Sequence, residues 1–410
     1  MNSQNSTEIS GEFIDHQGER YYAIRNADKM PPFFISIISD SDHWLFISSN
    51  GGLTAGRVSP ETALFPYVTV DKIHDSSAHT GSKTLLRIER PDGNHEWEPF
   101  NMEHDGLFHI SRNLYKNLLG NKLCFEEINH DLQLVFRYSW ATSERYGFVR
   151  QCELENTGNK TQRVELLDGL QNILPAGTPR FIQANSSNLV DAYKWSELDV
   201  ASGVGIFALY SGITDRPEPC ESLKANTVFC LGLKGHKVLI SSEQLDHFRL
   251  GEPLQQEVNR RGIRGAYLVN KRLTLESGDT QSWQLVANVE QSQSQVVALC
   301  QQLNHPAAVG EEMSHSINRG SDALARIMAA GDGFQLTAEE NVSTHHYANV
   351  LFNILRGGTY DDQYRVSARD FSATVQHFNL AIFQRHQTFL AELPEKLEFA
   401  ELLTRVRERV

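Results

Sequence analysis

The residues best suited to bind a polar ligand begin at the end of the strand-like run Arg163 to Leu170 and continue past it. They are Asp168-Gly169-Leu170-Gln171-Asn172-Ile173-Leu174-Pro175-Ala176-Gly177-Thr178-Pro179-Arg180. Read as a loop leaving a strand end, this stretch offers a carboxylate (Asp168), two amides (Gln171, Asn172) and a guanidinium (Arg180). Those groups match the donors and acceptors of a hydroxyl-rich ligand. The plainer reading is a polar loop capping its own backbone. On the binding reading, Asp168→Ala or Arg180→Ala is expected to leave folding intact. A second cluster, Asp42, His43, Trp44 and Arg57, surrounds the turn Asn50-Gly51-Gly52. There Trp44 could act as a flat stacking platform, as could Trp97, or either could be a core tryptophan.

Other chemistries find little support, and no catalytic residue is assigned. His74, His79, His104, His109 and His130 lie near Asp105 and Glu126, but no spacing singles out an acid/base pair. His345-His346 falls in a helical pattern where neighbours point apart, and there is no HExxH, so no metal site is expected. Gly51-Gly52 and Gly357-Gly358 lack the context of a phosphate-cradling loop, and no GxSxG elbow occurs. Glu311-Glu312 and Glu339-Glu340 read as solvated helix surface. No bound cofactor is implied.

The formal charge of −13 over 410 residues argues against nucleic-acid binding, which needs a Lys/Arg excess, and gives no attraction to an anionic membrane. Five cysteines, Cys124, Cys152, Cys220, Cys230 and Cys300, are scattered without a CxxC, which suits reduced thiols. The start Met1-Asn2-Ser3-Gln4-Asn5-Ser6-Thr7-Glu8 has neither a basic nor an apolar leader pattern. A cytoplasmic location is therefore expected.

These residues must be held by strands. Leu132, Leu134, Phe136 and Tyr138 alternate with Gln133, Val135 and Arg137, and Phe148–Leu154 and Arg163–Leu170 follow as two further strands. Glu155-Asn156-Thr157-Gly158-Asn159 reads as the tight link between the last two, giving a three-stranded meander. Further strands are expected at Phe33–Ile38, Trp44–Ser48 and Thr84–Arg90, the last closing on Pro91-Asp92-Gly93-Asn94. Others follow at Gly205–Tyr210, Thr227–Leu233, Lys237–Ser241, Ala266–Leu275 and Ser282–Val289. With no amphipathic helix between them, they predict a mainly β fold, a large antiparallel two-sheet sandwich over residues 1–292.

Near Gln293 the period changes to that of helices. Val309, Met313, Ile317, Leu324, Ile327 and Met328 mark one, ended by Gly331 and Gly333. A second runs Val342 to Leu355, capped by Gly357-Gly358. A third carries Phe371, Val375, Phe378, Ile382, Phe383, Phe389 and Leu390 on one stripe behind a Ser367/Asp370 cap. A fourth opens at Pro394 and ends in Arg405, Arg407 and Arg409. Residues 293–410 thus read as a helical linker stopping before a further domain.

Three stretches resemble the inverting disaccharide phosphorylases of the cellobiose and chitobiose phosphorylase type. They are Phe33-Phe34-Ile35-Ser36-Ile37-Ile38-Ser39, Leu107 to Asn172 with its Glu155-Asn156-Thr157-Gly158 turn, and Lys271 to Val289. The resemblance implies a galactose-mutarotase-like super-sandwich, a helical linker and an (α/α)6 catalytic barrel that has no counterpart in these residues. It implies that a disaccharide or oligosaccharide is split by inorganic phosphate as co-substrate, with one carboxylic acid protonating the leaving oxygen. A homodimer, and a sandwich loop near a sugar site, are implied as well. The alternatives are a stand-alone carbohydrate-binding module and a mutarotase-like sugar isomerase.

Overall fold

The computed structural model describes residues 8–16, 18–213, 222–331, 333–335, 337–355 and 365–409. Cys220 and the Gly357-Gly358 cap lie outside them. The chain divides into two compact units, Met1–Ser321 and Asp322–Val410.

The first unit is built on an antiparallel sheet of eleven strands. In spatial order it begins Ser10–His16, Glu19–Arg25, Ile110–Asn117, Leu123–Asn129, Leu134–Ser143 and Gly147–Asn156. It continues through Thr280–Ser292, Lys224–Leu231, Val204–Leu209, Lys194–Asp199 and Asn259–Arg261. A five-stranded sheet faces it, ordered Lys237–Ser241, Gly265–Leu275, Gln162–Ile173, Gly81–Arg90 and Gly93–Trp97. A three-stranded sheet of Phe34–Ile37, His43–Ser48 and Leu53–Arg57 completes the body. The mainly β, antiparallel architecture with helices toward the C-terminus is as the alternation predicts.

One core joins the three sheets. Phe136, Tyr138 and Trp283 of the large sheet, Leu166, Leu170 and Val269 of the small one, and Leu45, Ile47 and Leu53 of the third belong to the same buried cluster. Each such side chain removed from water contributes roughly 1.5–3 kcal/mol. The outer face of the five-stranded sheet is also apolar. Leu167, Leu239 and Leu268 pack there under Phe248 of the short helix Leu245–Arg249. Part of the large sheet's outer face is covered in turn by Leu303, the C-cap of the helix Gln293–Gln302, and by Val309 and Met313 of the next helix, Pro306–Ala330.

The expected three-stranded meander is corrected. Leu134–Ser143 pairs with Gly147–Asn156, but Gln162–Ile173 crosses to the other sheet and pairs with Gly81–Arg90 and Gly265–Leu275. The link is a crossover held by Asn156, not a tight hairpin. Its Nδ2 donates to the carbonyls of Lys160, Leu275 and Glu276, and its Oδ1 accepts from Gly158 N. Three short helices, Arg180–Asn185, Ser187–Tyr193 and Leu245–Arg249, also interrupt a region expected to hold strands alone.

In the second unit, Ala368, Leu390, Leu393, Leu397 and Leu402 form a separate small core. Ser367 caps the helix Ala368–Phe378 through Asp370 N as expected. The long third helix does not persist beyond Phe378. Asn379, extended and capping Ile382 N, starts the separate helix Leu380–Arg385, and Gln387–Ala391 follows. Its side chain replaces the backbone bond that would have continued the helix. Phe378 is consequently 76 % exposed rather than on a buried stripe. The helix expected from Pro394 is also corrected. Lys396–Glu398 is a strand paired with Arg365–Ser367, and the helix begins at Phe399. Among the described residues, no helix is long and apolar enough to cross a membrane.

Candidate functional site

The segment 168–173 is strand, not loop, and this decides what its side chains do. Asp168 is fully buried between the two large sheets. Its carboxylate accepts from Arg150 Nη1 at 2.9 and 2.8 Å, from Thr84 Oγ1 at 2.6 Å and from Trp283 Nε1 at 2.7 Å. Arg150 is equally buried and lies over the Tyr138 ring at 4.6 Å. Burial alone would lower the Arg150 pKa; the Asp168 charge outweighs it and raises it. Gln171 donates to the Ala78 carbonyl at 2.9 Å. Asn172, at φ 57°, donates to Thr80 Oγ1 at 2.9 Å. Left-handed backbone of this kind is tolerated best by Asn among non-glycine residues.

All three side chains act behind a cleft of about 400 Å3 at one end of the sandwich. Thr84 and Tyr138 form its floor, Ala78 one wall, and Asn50 of the hairpin turn its rim. Asp168 therefore orients the floor, and Gln171 and Asn172 pin the wall segment.

The opposite wall is polar. Lys83 Nζ and Arg249 Nη2 converge on Glu98, whose carboxylate is 6 % exposed, with Arg249 at 3.3 Å. Burial pushes the Glu98 carboxyl up, but Lys83 and then Arg249 outweigh it and hold it below the usual carboxylate range. It is an anion at neutral pH, an acceptor rather than a proton donor.

The lip is Phe100, held at φ 63°. A bulky residue there is strained and persists only when its surroundings impose it. Here Glu127, 1 % exposed, supplies the constraint. It accepts from Phe100 N, from Trp97 Nε1 and from Arg112 Nε, each at 2.7 Å. Arg112 also donates to the Asn101 carbonyl at 3.2 Å. The Phe100 ring meets Tyr138 edge-on, with centroids 5.2 Å apart. Trp97 is a core residue.

Trp44, Arg57 and Arg180 lie elsewhere. The cluster around Trp44 occupies the open end of its hairpin, not the Gly51-Gly52 end, because His43 pairs with Arg57 and Trp44 with Gly56. Trp44 covers Gly56, where any Cβ would lie 2.3 Å from the indole. It neighbours Phe46 at 6.0 Å and Tyr67 at 5.5 Å, and the exposed Arg180 sits over Tyr67 at 5.9 Å. Phe34, 54 % exposed, extends this aromatic row beyond Phe46. Arg57 points to the other face, donating to Asp42 at 2.7 Å and Asn288 at 3.2 Å. Structure thus joins Trp44 with Arg180 and separates both from Asp168.

Lys83, Glu98, Phe100, Tyr138 and Arg249 were not singled out by sequence. Glu98 and Arg249 are 151 residues apart, and no local pattern announces their meeting. Among the described residues no group of three or more His, Cys, Asp and Glu could hold a metal ion. Cys124, Cys152, Cys230 and Cys300 are free thiols.

Residues 360–409 match a family model described as glycoside hydrolase family 149 insertion domain 1. The described part of that match contains the small core around Leu390 and Leu402. No curated protein sequence matches the chain. Among solved structures, a bacterial glucoamylase complexed with acarbose is 10 % identical, with a TM-score of 0.39 over 90 % of this chain. The chain covers 54 % of that glucoamylase. A galactose mutarotase-like protein from Clostridium acetobutylicum is 10 % identical, with a TM-score of 0.32 over 69 % of this chain and 98 % of its own. A protein from the human microbiome provisionally assigned as a kojibiose phosphorylase is 8 % identical, with a TM-score of 0.29 over 81 % of this chain and 32 % of its own.

Proposed function

We infer that this chain is the sandwich-bearing part of a carbohydrate-active enzyme that splits a disaccharide or oligosaccharide with inorganic phosphate. The observation that carries the carbohydrate-active part of this reading is the match of residues 360–409 to a glycoside hydrolase insertion domain; phosphate as co-substrate is what the resemblance to disaccharide phosphorylases implies.

The cleft's carboxylate is held ionised, so it serves binding, and proton transfer falls to a carboxylic acid on a barrel following this chain. The chain's part is then to support that barrel, to bind sugar and to form the contact of a cytoplasmic homodimer. Trp44 and Arg180 contribute a stacking and hydrogen-bonding face, with Arg57 bracing its hairpin.

The experiment is a phosphorolysis assay on the full natural gene product, with inorganic phosphate and a panel of neutral disaccharides. Sugar 1-phosphate released in equal amount to free sugar supports the reading. Free sugars alone would assign water as acceptor and overturn phosphorolysis. Faster mutarotation of an α-anomer, followed by optical rotation, would replace it with an isomerase.

A further inference from the structure

Resting on the carbohydrate reading, we propose that the cleft between Lys83, Glu98, Phe100 and Arg249 is itself a binding site for a neutral pyranose sugar. Its volume of about 400 Å3 falls within the range of about 300–1,000 Å3 common to small-molecule sites.

Charge decides what kind of ligand enters. Lys83 and Arg249 both pair with Glu98, and Arg249 donates a second bond to Asp246 at 2.8 Å. Glu103 adds a further carboxylate to the lining. The two cations are matched by these carboxylates, so the cleft holds no excess positive charge for a phosphate or a uronic acid. A neutral ligand escapes that repulsion.

Hydrogen bonding decides the rest. An ammonium carries three donors, and Lys83 Nζ has Glu98 as its one hydrogen-bond partner among the described residues. A carboxylate offers about four acceptor positions, so Glu98 keeps capacity beyond its two cations. Donor and acceptor thus stand side by side, which suits the adjacent hydroxyls of a sugar ring. Phe100, half-buried at the lip, offers apolar surface to the ring's C–H face.

The geometry is fixed before any ligand arrives. Glu127 locks the Phe100 lip, and Asp168, Gln171 and Asn172 hold the floor and wall from behind. Such preorganisation lowers the ordering cost of binding.

Ligand-observed NMR and calorimetry on the 410-residue chain test the site, with glucose, galactose, N-acetylglucosamine and cellobiose as neutral probes and glucose 1-phosphate as charged comparison. Saturable binding of at least one neutral sugar is expected, weakened about tenfold by Lys83→Met, since 1.4 kcal/mol is a factor of ten. Arg249→Gln, at a side chain 38 % exposed, is the second variant, chosen to keep the fold, and should weaken binding in the same direction. Far-UV dichroism establishes that each variant is folded.

No saturable signal with any neutral sugar overturns the proposal. So does unchanged affinity in a folded Arg249→Gln, or glucose 1-phosphate binding tenfold tighter than glucose. Sugar binding here without phosphorolysis by the full gene product would sink the enzymatic reading and leave this site standing. Phosphorolysis without binding would do the reverse.

Discussion

Arg150 and Asp168 face each other across the gap between the two large sheets, each with no exposed side-chain surface and with contacts of 2.8 and 2.9 Å. Arg150 stands on the strand Gly147–Asn156 and Asp168 on Gln162–Ile173, so this ion pair ties one layer to the other. Thr84 and Trp283 complete the carboxylate's shell.

Asp168→Ala should therefore destabilise the first unit by about 3–5 kcal/mol, because it strands a buried guanidinium. Chemical denaturation followed by tryptophan fluorescence measures this. A loss below about 1 kcal/mol would mean that the pair is solvated or relaxes away. The expectation from sequence, that the exchange spares folding, presumed a loop that the sheet does not contain.

Asn156→Ala tests the crossover. The amide serves three carbonyls where the chain leaves one sheet for the other. Their desolvation without a partner should cost about 1–3 kcal/mol. Asn156→Asp, which keeps the acceptor for Gly158 N but sets a buried carboxylate oxygen against the three carbonyls, should cost more than Asn156→Ala. A neutral Asn156→Ala would show that water replaces the amide.

His43 predicts a pH response. It is buried edge-on against Phe148, 5.1 Å away, with Ser41 Oγ at 2.8 Å, Ser39 Oγ at 3.5 Å, and Arg57 and Asp42 as its charged neighbours. Burial, then the Arg57 charge, lowers its pKa from 6.5 to about 3, while Asp42 opposes weakly. Between those values the unfolded imidazole binds a proton that the folded one refuses. Stability from this residue is thus full above pH 6.5 and is lost as the pH falls toward 3, at about 1.4 kcal/mol per pH unit. Unfolding midpoints of wild type and His43→Gln, compared between about pH 4 and pH 7, should show that slope reduced in the variant. Parallel profiles would remove His43 as its source.

Trp44→Ala tests the aromatic row. If Trp44 stacks on sugar, electrophoresis through a gel containing soluble glucan should retard the wild type and release the variant. Equal retardation of both proteins would remove Trp44 from sugar binding.

Much of the architecture is legible in local pattern. Period-two alternation over residues 132–138, 84–90 and 282–289 found parts of the strands Leu134–Ser143, Gly81–Arg90 and Thr280–Ser292, and Pro91-Asp92 marked a real hairpin turn, because side-chain alternation and turn chemistry are set by neighbours in sequence. The change to helix at Gln293 was visible for the same reason, with Ser292 and Gln295 forming a capping box.

What lay beyond sequence was every choice of distant partner. Nothing within the run 156–162 states that its next strand joins the opposite sheet, since an antiparallel strand reads alike in either layer. Lys396–Glu398 resembled the start of a helix until Arg365–Ser367 offered it a ladder. Asp168, Gln171 and Asn172 looked like a ligand-facing loop because polarity alone does not reveal burial. Only tertiary pairing placed Arg150 against Asp168, and turned them into the frame behind a cleft lined by residues 83, 98, 138 and 249. Alternation is a property of adjacent residues and survives in the chain, whereas sheet membership and charge pairing arise from long-range closure.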